Sequence, residues 1–467
     1  MLKSNIAWMK KNVPSDLKVW KGMIQDIDWS QVAAKTKLSL QRDKDRITAE
    51  FKEFAAMDTS AKIDWLMNGD RHLGYLYKKD AIAFARREWK GLKSVGYDFV
   101  GWLKIWGGML NMVMKDPMSI MLAVFEYHWF ASYLATPAVV DRSVFGRRGK
   151  LLQADFDMWV AITHWAEDLI ANLIMADAKI GGNQKINKRI IMFDEMTMAQ
   201  MMAGFPNLLG IPYQMIPVFM VSEMDQLTLI PYIDAIESYG LPSDTCPLPT
   251  AECGCAVKDE YPMCGQGFIA SSMPCDGSVM ATSFQDRRFS KFMPSYPLCM
   301  PVRYDDEDTT EMAAADMKDC IHWVEGLTGE TWNWDTYFAT MEKMNECTRL
   351  EMEKWEINKT HYPQLVGSSF ELFRKWNYEM DGGLFPEGLK TQRKICKTMM
   401  ETYEKKLPAY VGGYEKYRAL IWSCPAHFYA NFSNWLANCW GIYALTEMEA
   451  LNMTKMLNTT DKDEAIN

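Results

Sequence analysis

Cysteine is missing from the first 245 of the 467 residues, and all eleven cysteines lie at or after Cys246. Disulfide frameworks belong to secreted proteins. The N-terminal stretch MLKSNIAWMKKNVPSDLKVW has neither the apolar core nor the small-residue cleavage site of a signal peptide. We therefore expect reduced thiols and a cytoplasmic location.

An excess of basic residues and a phosphate-binding loop are also lacking. The chain has 51 Lys and Arg against 60 Asp and Glu, a net charge of -9, so it has no basic surplus to neutralise a nucleic acid backbone. The pattern G-x-x-x-x-G-K-[ST] is absent. With 48% hydrophobic and 24% charged residues, the composition is that of a folded protein.

A single apolar stretch, from Met118 to Val140, is long enough to span a bilayer. Glu126 and His128 near its middle and Pro137 near its end argue against a membrane span, because charges in hydrocarbon are costly. We expect this stretch to be buried by protein contacts, as a core helix or a subunit interface. Glu126 or His128 should then be hydrogen-bonded or turned toward solvent.

Hydrophobic periodicity predicts an α/β fold with a helical N-terminal region. Apolar residues recur at helical spacing from Leu151 and stop at Gly181. Beyond this point the run 213–222 is continuously apolar and predicts a buried parallel strand. A helix ending at Gly240, a strand at 268–272 and a helix from Ser278 follow, an alternation typical of a flavodoxin- or Rossmann-like parallel sheet.

These patterns predict four regions. Residues 1–182 form a helical N-terminal region, 183–305 a first α/β domain with clustered cysteines, 306–410 a helical segment, and 411–467 the start of a second, similar α/β domain. A strand in RALIWSCP, a helix through SNWLANCWG and a short strand in IYALTE open that last region. It has too few residues for a doubly wound domain and is expected to be incomplete. Three cysteines in the helical segment are expected to be buried packing residues: Cys320, Cys347 and Cys396.

Two cysteines have a different setting. Cys246 follows the end of a predicted helix, and Cys275 lies between a predicted strand and a predicted helix. Turns after parallel strands line the ligand crevice of an α/β sheet, and a helix N-terminus stabilises a thiolate. The interval between these two cysteines matches no common zinc or ferredoxin pattern, so spacing alone leaves metal binding and structural thiols as open alternatives.

The sequence from Lys185 onward resembles the large iron-sulfur subunits of the 2-hydroxyacyl-CoA dehydratase and benzoyl-CoA reductase family. The resemblance lies in four ordered motifs and extends to the end of the chain, whereas residues 1–180 resemble the family less. The motifs are PYIDAIESYGLPSDTCP, SSMPCDG, HWVEGLTGETWNWDTYFATMEKMNE and EKYRALIWSCPAHF.

This resemblance implies a cofactor and its ligands. Family subunits hold a low-potential iron-sulfur cluster, here [4Fe-4S], through three cysteines. Cys246 and Cys275 match the first two, and their sulfurs should lie about 6 to 7 Å apart. The third ligand is expected beyond Asn467, in the missing part of the second domain. Cys424 is a weaker in-chain candidate, because relatives usually carry Gly or Pro there.

The resemblance also implies an activity and partners. The expected reaction removes water from an (R)-2-hydroxyacyl-CoA through a ketyl radical, with a related second catalytic subunit and an ATP-dependent iron-sulfur activator. A benzoyl-CoA reductase-type subunit, which reduces an aromatic ring, is the alternative within the family. A zinc-stabilised, noncatalytic scaffold is an alternative from another class, and would use Cys246, Cys253, Cys255 and Cys264.

Overall fold

The structure is a computed structural model in which most of the chain can be described. The described residues are 21, 25, 28–69, 91–144, 147–193, 199–213, 215–242, 244–271, 276–289, 293–299, 307–364, 373, 381–407, 415–421, 436–447 and 456–466. As predicted, the chain has an α/β fold that begins with a helical region and contains parallel sheets.

Within the described residues, seven helices precede the first strand. Asp28 and Asp58 cap the first two through their side-chain oxygens, which accept hydrogen bonds from first-turn N–H groups. The helices are α1 (Trp29–Ala56), α2 (Thr59–Asn68), α3 (Leu92–Lys115), α4 (Pro117–Glu126), α5 (Thr136–Ser143), α6 (Gly149–Ala176) and α7 (Gln184–Asn187).

Helix α6 is the central helix of this region. It is buried around most of its circumference and packs along α3. Gly101 and Gly108 of α3 make the close approach possible. A Cβ at Gly101 would lie 2.3 Å from the ring of Phe156, and one at Gly108 would lie 3.2 Å from Glu167 Oε2. As predicted, the helical stretch stops near Gly181, which adopts a φ of 105° after a short 3-10 turn.

The apolar stretch from Met118 to Val140 is broken into α4, a 3-10 segment (His128–Ala135) and α5. Most of its aromatic side chains are buried, whereas Phe125 is exposed. His128 is exposed and its backbone N–H donates to Glu260 Oε2 at 2.9 Å. None of the helices that the structure describes is long and apolar enough to cross a bilayer.

The first sheet has four parallel strands in the order β2-β1-β3-β4. Ile190 pairs with Leu209, Ile191 with Gly267, and Phe268 with Ser295. This order matches the first four strands of the flavodoxin-like arrangement. The strands are β1 (Ile190–Phe193), β2 (Leu209–Pro212), β3 (Gly267–Ser271) and β4 (Ser295–Leu298).

The prediction of a strand at residues 213–222 is wrong. A π-helical turn (Met215–Phe219) and helix α8 (Met220–Met224) occupy this run, and β2 ends just before it. An apolar run does not distinguish a buried strand from a buried helix, and Pro217 has no N–H to donate to a strand ladder. The predicted strand at 268–272 is confirmed as β3.

Three further helices lie between α8 and β4 in the described part of the chain. Helix α9 (Ile230–Glu237) begins with Pro231 in its first turn, as expected, and Gly240 follows its end with a φ of 97°. Helix α10 (Pro247–Val257) precedes β3, and helix α11 (Asp276–Phe289) follows it.

Helices α12 (Glu307–Thr328), α13 (Trp334–Asn358) and α14 (Pro386–Glu404) form the predicted helical segment. Asn333 caps α13 by accepting from the N–H of Thr336 at 3.1 Å, as its sequence indicates. The three cysteines predicted to be packing residues are buried, which confirms that prediction. The boundaries of the four predicted regions stay a prediction.

The second sheet pairs β5 (Tyr417–Ile421) in parallel with β6 (Ile442–Glu447), which confirms both predicted strands. The described residues 456–466, after β6, are mostly exposed but make polar contacts with the helical segment. Asn345 exchanges two hydrogen bonds with the backbone of Leu457, at 2.7 and 2.9 Å, and Lys318 pairs with Asp463 at 2.8 Å. Polar contacts therefore hold this segment on α12 and α13.

Candidate active site

The carboxyl edge of the four-stranded sheet is the region where the predicted site would lie. All four strands are parallel, so Phe193, Pro212, Ser271 and Leu298 end them at one edge. In this strand order the connections after β1 and β3 leave on opposite faces, which opens a crevice between the two strand ends. In the sequence, Cys275 follows the last residue of β3 by four positions.

Cys246 lies at the start of α10 and is exposed. It is the N-cap residue, and its carbonyl oxygen accepts from the hydroxyl of Thr250 at 2.8 Å. Pro247 occupies the first helical position, where no N–H is needed. The Cys246 thiol is therefore accessible at a helix N-terminus, where the helix dipole favours negative charge.

Helices α10 and α11 pack side by side. Cys253 of α10 and Ala281 of α11 belong to one buried cluster with Ile236. Cys253 lies seven residues after Cys246, and Ala281 lies six residues after Cys275. The two helices therefore share a packed contact near their middles. Helix α11 begins at Asp276, five residues after the last residue of β3.

The other two predicted ligands are not described. Cys275 and Cys424 both lie outside the described residues, so the expected separation of the Cys246 and Cys275 sulfurs stays a prediction. Helix α11 begins at Asp276, the residue after Cys275.

Cys299 is an exposed cysteine to which the sequence patterns assigned no role. It directly follows β4 at the carboxyl edge, and its N–H donates to Asp316 Oδ2 at 2.6 Å. Its position directly after a strand could have marked Cys299 as a candidate site residue, but the strand sequence SYPL is too weak a pattern to predict. Cys246 and Cys299 are thus the two exposed cysteines among those that the structure describes, and Cys299 lies at this edge.

The remaining cysteines of this region are buried. Burial raises the pKa of Cys253 to about 12 and raises the pKa of Cys264 well above its usual value. The Cys264 sulfur contacts the Met192 sulfur at 3.7 Å. Among the described residues, which include all four cysteines of the zinc alternative, no group of three or more His, Cys, Asp or Glu is placed to hold a metal ion. The structure therefore does not support the zinc scaffold.

A cavity of about 310 Å³ lies beside β1 and β2 and was not predicted. Asp381 lines it and accepts from Trp165 Nε1 at 2.8 Å and from the backbone N–H of Phe385. Burial raises the pKa of this carboxyl to about 7, although both hydrogen bonds oppose the shift. Sequence reasoning missed the cavity because Trp165 and Asp381 are 216 residues apart.

The comparison with protein families identifies the chain. The family described as 2-hydroxyglutaryl-CoA dehydratase, D-component, matches residues 226–467, which is 242 of the 467 residues. The chain belongs to this family. No curated protein matches it with significance.

The match confirms the resemblance found in the sequence and refines its extent. It begins at Gln226 instead of Lys185, and it contains Cys246, Cys275 and Cys424. Strands β1 and β2 lie before the matched range and pair with β3 inside it. Residues outside the family match thus build half of the four-stranded sheet that carries the dehydratase motifs.

Proposed function

We propose that this chain is a catalytic subunit of a radical (R)-2-hydroxyacyl-CoA dehydratase. Membership in the dehydratase D-component family is the observation that carries the proposal. The accessible Cys246 thiol at the start of α10 supports it, because an exposed thiol can reach a cluster.

In this proposal Cys246 and Cys275 hold an iron-sulfur cluster, with a third ligand outside the described residues. The donor chemistry of Cys246 fits this role, because its exposed thiol is accessible to a cluster, whereas the buried thiols of Cys253 and Cys264 are not. When bound, a [4Fe-4S] cluster with three cysteine ligands would deliver one electron to a substrate thioester and leave one iron open to the substrate.

The protein's own contribution is electrostatic and positional. The N-terminus of α10, where Cys246 lies, carries the positive end of a helix dipole, which favours an anionic centre there. Pro247 and Pro249 have no N–H, so Leu248 is the residue among the first three of α10 that carries one. The packed cluster of Cys253, Ala281 and Ile236 holds α10 and α11 against each other.

The proposal includes partners. A D-component implies a partner component, which we propose to be a related second catalytic subunit. We also propose an acyl-CoA substrate and a separate ATP-dependent iron-sulfur activator as the electron donor, because this sequence has no phosphate loop of its own.

Anaerobic purification with iron and sulfide analysis tests the cofactor. The wild-type chain should contain about equal amounts of iron and acid-labile sulfide, and Cys246→Ser or Cys275→Ser should lose most of both. Cys299→Ser, at another exposed cysteine, is the matched control and should retain them. A wild-type protein that binds zinc and no iron would refute the cluster.

A turnover assay separates the two reactions. A dehydratase should convert a 2-hydroxyacyl-CoA in the presence of its partner and activator with catalytic amounts of reductant, because the electron returns after each cycle. A ring reductase should instead consume reductant in proportion to product. Stoichiometric consumption with an aromatic acyl-CoA would favour the benzoyl-CoA reductase-type alternative.

A further inference from the structure

Helix α3 carries a continuous apolar stripe on its exposed face. The exposed fraction is 65% for Phe99, 58% for Leu103 and 55% for Trp106. Successive turns of the helix each add a member, so the stripe extends along the length of α3. Seven residues form it: Leu92, Val95, Phe99, Leu103, Trp106, Leu110 and Met114.

Two glycines of α3 lie on this exposed side and make no close contact with the rest of the described chain. A Cβ added to Gly96 or Gly107 would meet none of the described atoms within 4 Å. Glycine inside a helix costs stability relative to alanine, so a glycine there normally serves a close contact. Gly101 and Gly108 serve one on the opposite face, against α6. Gly96 and Gly107 would allow an equally close approach by another helix.

The exposed face is complementary to itself about Leu103. In an antiparallel pair of α3 helices with a twofold axis at Leu103, a residue n positions before it faces the residue n positions after it in the other copy. Gly96 then faces Leu110, and Phe99 faces Gly107. Val100 faces Trp106 in the same way, so each of these contacts pairs a small residue with a larger one.

The size of the stripe also suits a dimer. Its exposed side chains and the neighbouring Met118 and Met121 of α4 present on the order of 1,000 Å² of apolar surface, whereas a stable dimer buries about 800 Å² on each partner. We propose that α3 pairs antiparallel with α3 of a second copy of this chain, with Leu103 on the twofold axis. This inference is independent of the proposed catalytic function, since α3 lies outside the family match.

Sedimentation equilibrium of the full chain tests the proposal. The wild type should be dimeric, and Leu103→Asp should weaken dimerisation by at least about a hundredfold, because it places two charges at the centre of an apolar contact. Lys104→Asp is the matched control, since Lys104 is exposed but lies about 100° around the helix from Leu103. It should remain dimeric. A monomeric wild type, or equal effects of both variants, would overturn the proposal.

Cysteine cross-linking tests the geometry. Residues on a twofold axis face their own copies, so Leu103→Cys should give a covalent dimer on mild oxidation, beyond any that the native thiols give in the wild type. Lys104→Cys should not. Cross-linking of Leu103→Cys only to a partner component, or stripe-dependent flotation of the monomer with phospholipid vesicles, would identify a different occupant and contradict self-pairing.

Discussion

Trp165 Nε1 donates a 2.8 Å hydrogen bond to Asp381 Oδ1 and joins the central helix α6 to the segment before α14. The contact lies in the wall of the 310 Å³ cavity. Asp381 has no cationic partner among the ion pairs of the described residues, and both of its described side-chain partners are neutral N–H donors. A carboxyl in this setting is well suited to a pH-dependent contribution to stability.

Asp381→Asn should change how stability depends on pH. Burial raises the pKa of Asp381 to about 7, above the unfolded value of about 4, so its contribution is fully present below pH 4 and is lost as the pH rises through 7. The asparagine side chain cannot ionise, so the Asp381→Asn variant does not lose stability in this way. The melting temperature of the variant minus that of the wild type should therefore be larger at pH 8 than at pH 5. Between pH 5 and pH 8, the difference in unfolding free energy between the variant and the wild type should change by on the order of 1–2 kcal/mol. Solvent screening keeps this value small, because Asp381 is only half-buried. A pH-independent difference would contradict the assigned pKa.

The buried ion pair of Arg147 and Asp155 provides a second test. Arg147 Nε lies 3.2 Å from Asp155 Oδ2, and both side chains are fully buried. Asp155→Ala should lower the free energy of unfolding by about 3–5 kcal/mol, because it leaves a buried cation without this partner. The exposed pair of Glu356 and Lys359 is the control, and Glu356→Ala should change the free energy of unfolding by about 0–1 kcal/mol. Chemical denaturation monitored by circular dichroism measures both.

Gly101→Ala should be destabilising. The new Cβ would lie 2.3 Å from the Phe156 ring, so α3 and α6 must separate, at a cost of about 1–3 kcal/mol in unfolding free energy. Gly326→Ala is the matched change at an exposed position inside α12, where none of the described atoms lies within 4 Å of the new Cβ. It should stabilise by about 0.4–1 kcal/mol. Equal effects of the two variants in thermal unfolding would contradict the close approach at Gly101.

Cys246→Ser should reduce turnover of a 2-hydroxyacyl-CoA by at least about a hundredfold, because it removes a proposed cluster ligand. Its circular dichroism spectrum should be unchanged, since the thiol is exposed and outside the core. Cys347→Ala, at a buried packing cysteine of α13, should retain turnover with a modest loss of stability. Retained turnover in Cys246→Ser would exclude Cys246 as a required ligand.

Local sequence patterns determined much of the fold. The end of the helical stretch near Gly181, the Asn333 cap of α13 and the strands β3, β5 and β6 were all predicted, because periodicity and capping act over a few neighbouring residues. Ordered motifs also indicated the family, which the match over residues 226–467 confirms.

Tertiary structure decided what depends on distant residues. The apolar pattern of residues 213–222 fits a buried strand and a buried helix equally well, and only tertiary packing selected the helical form. The cavity at Asp381 exists because α6 and the segment before α14 meet, although 216 residues separate Trp165 from Asp381. In the same way, the sequence marked Cys246 as a candidate, but only the folded chain shows that its thiol is exposed at the start of α10. Tertiary contacts follow from burying surfaces that are far apart in the chain, and no local pattern records them.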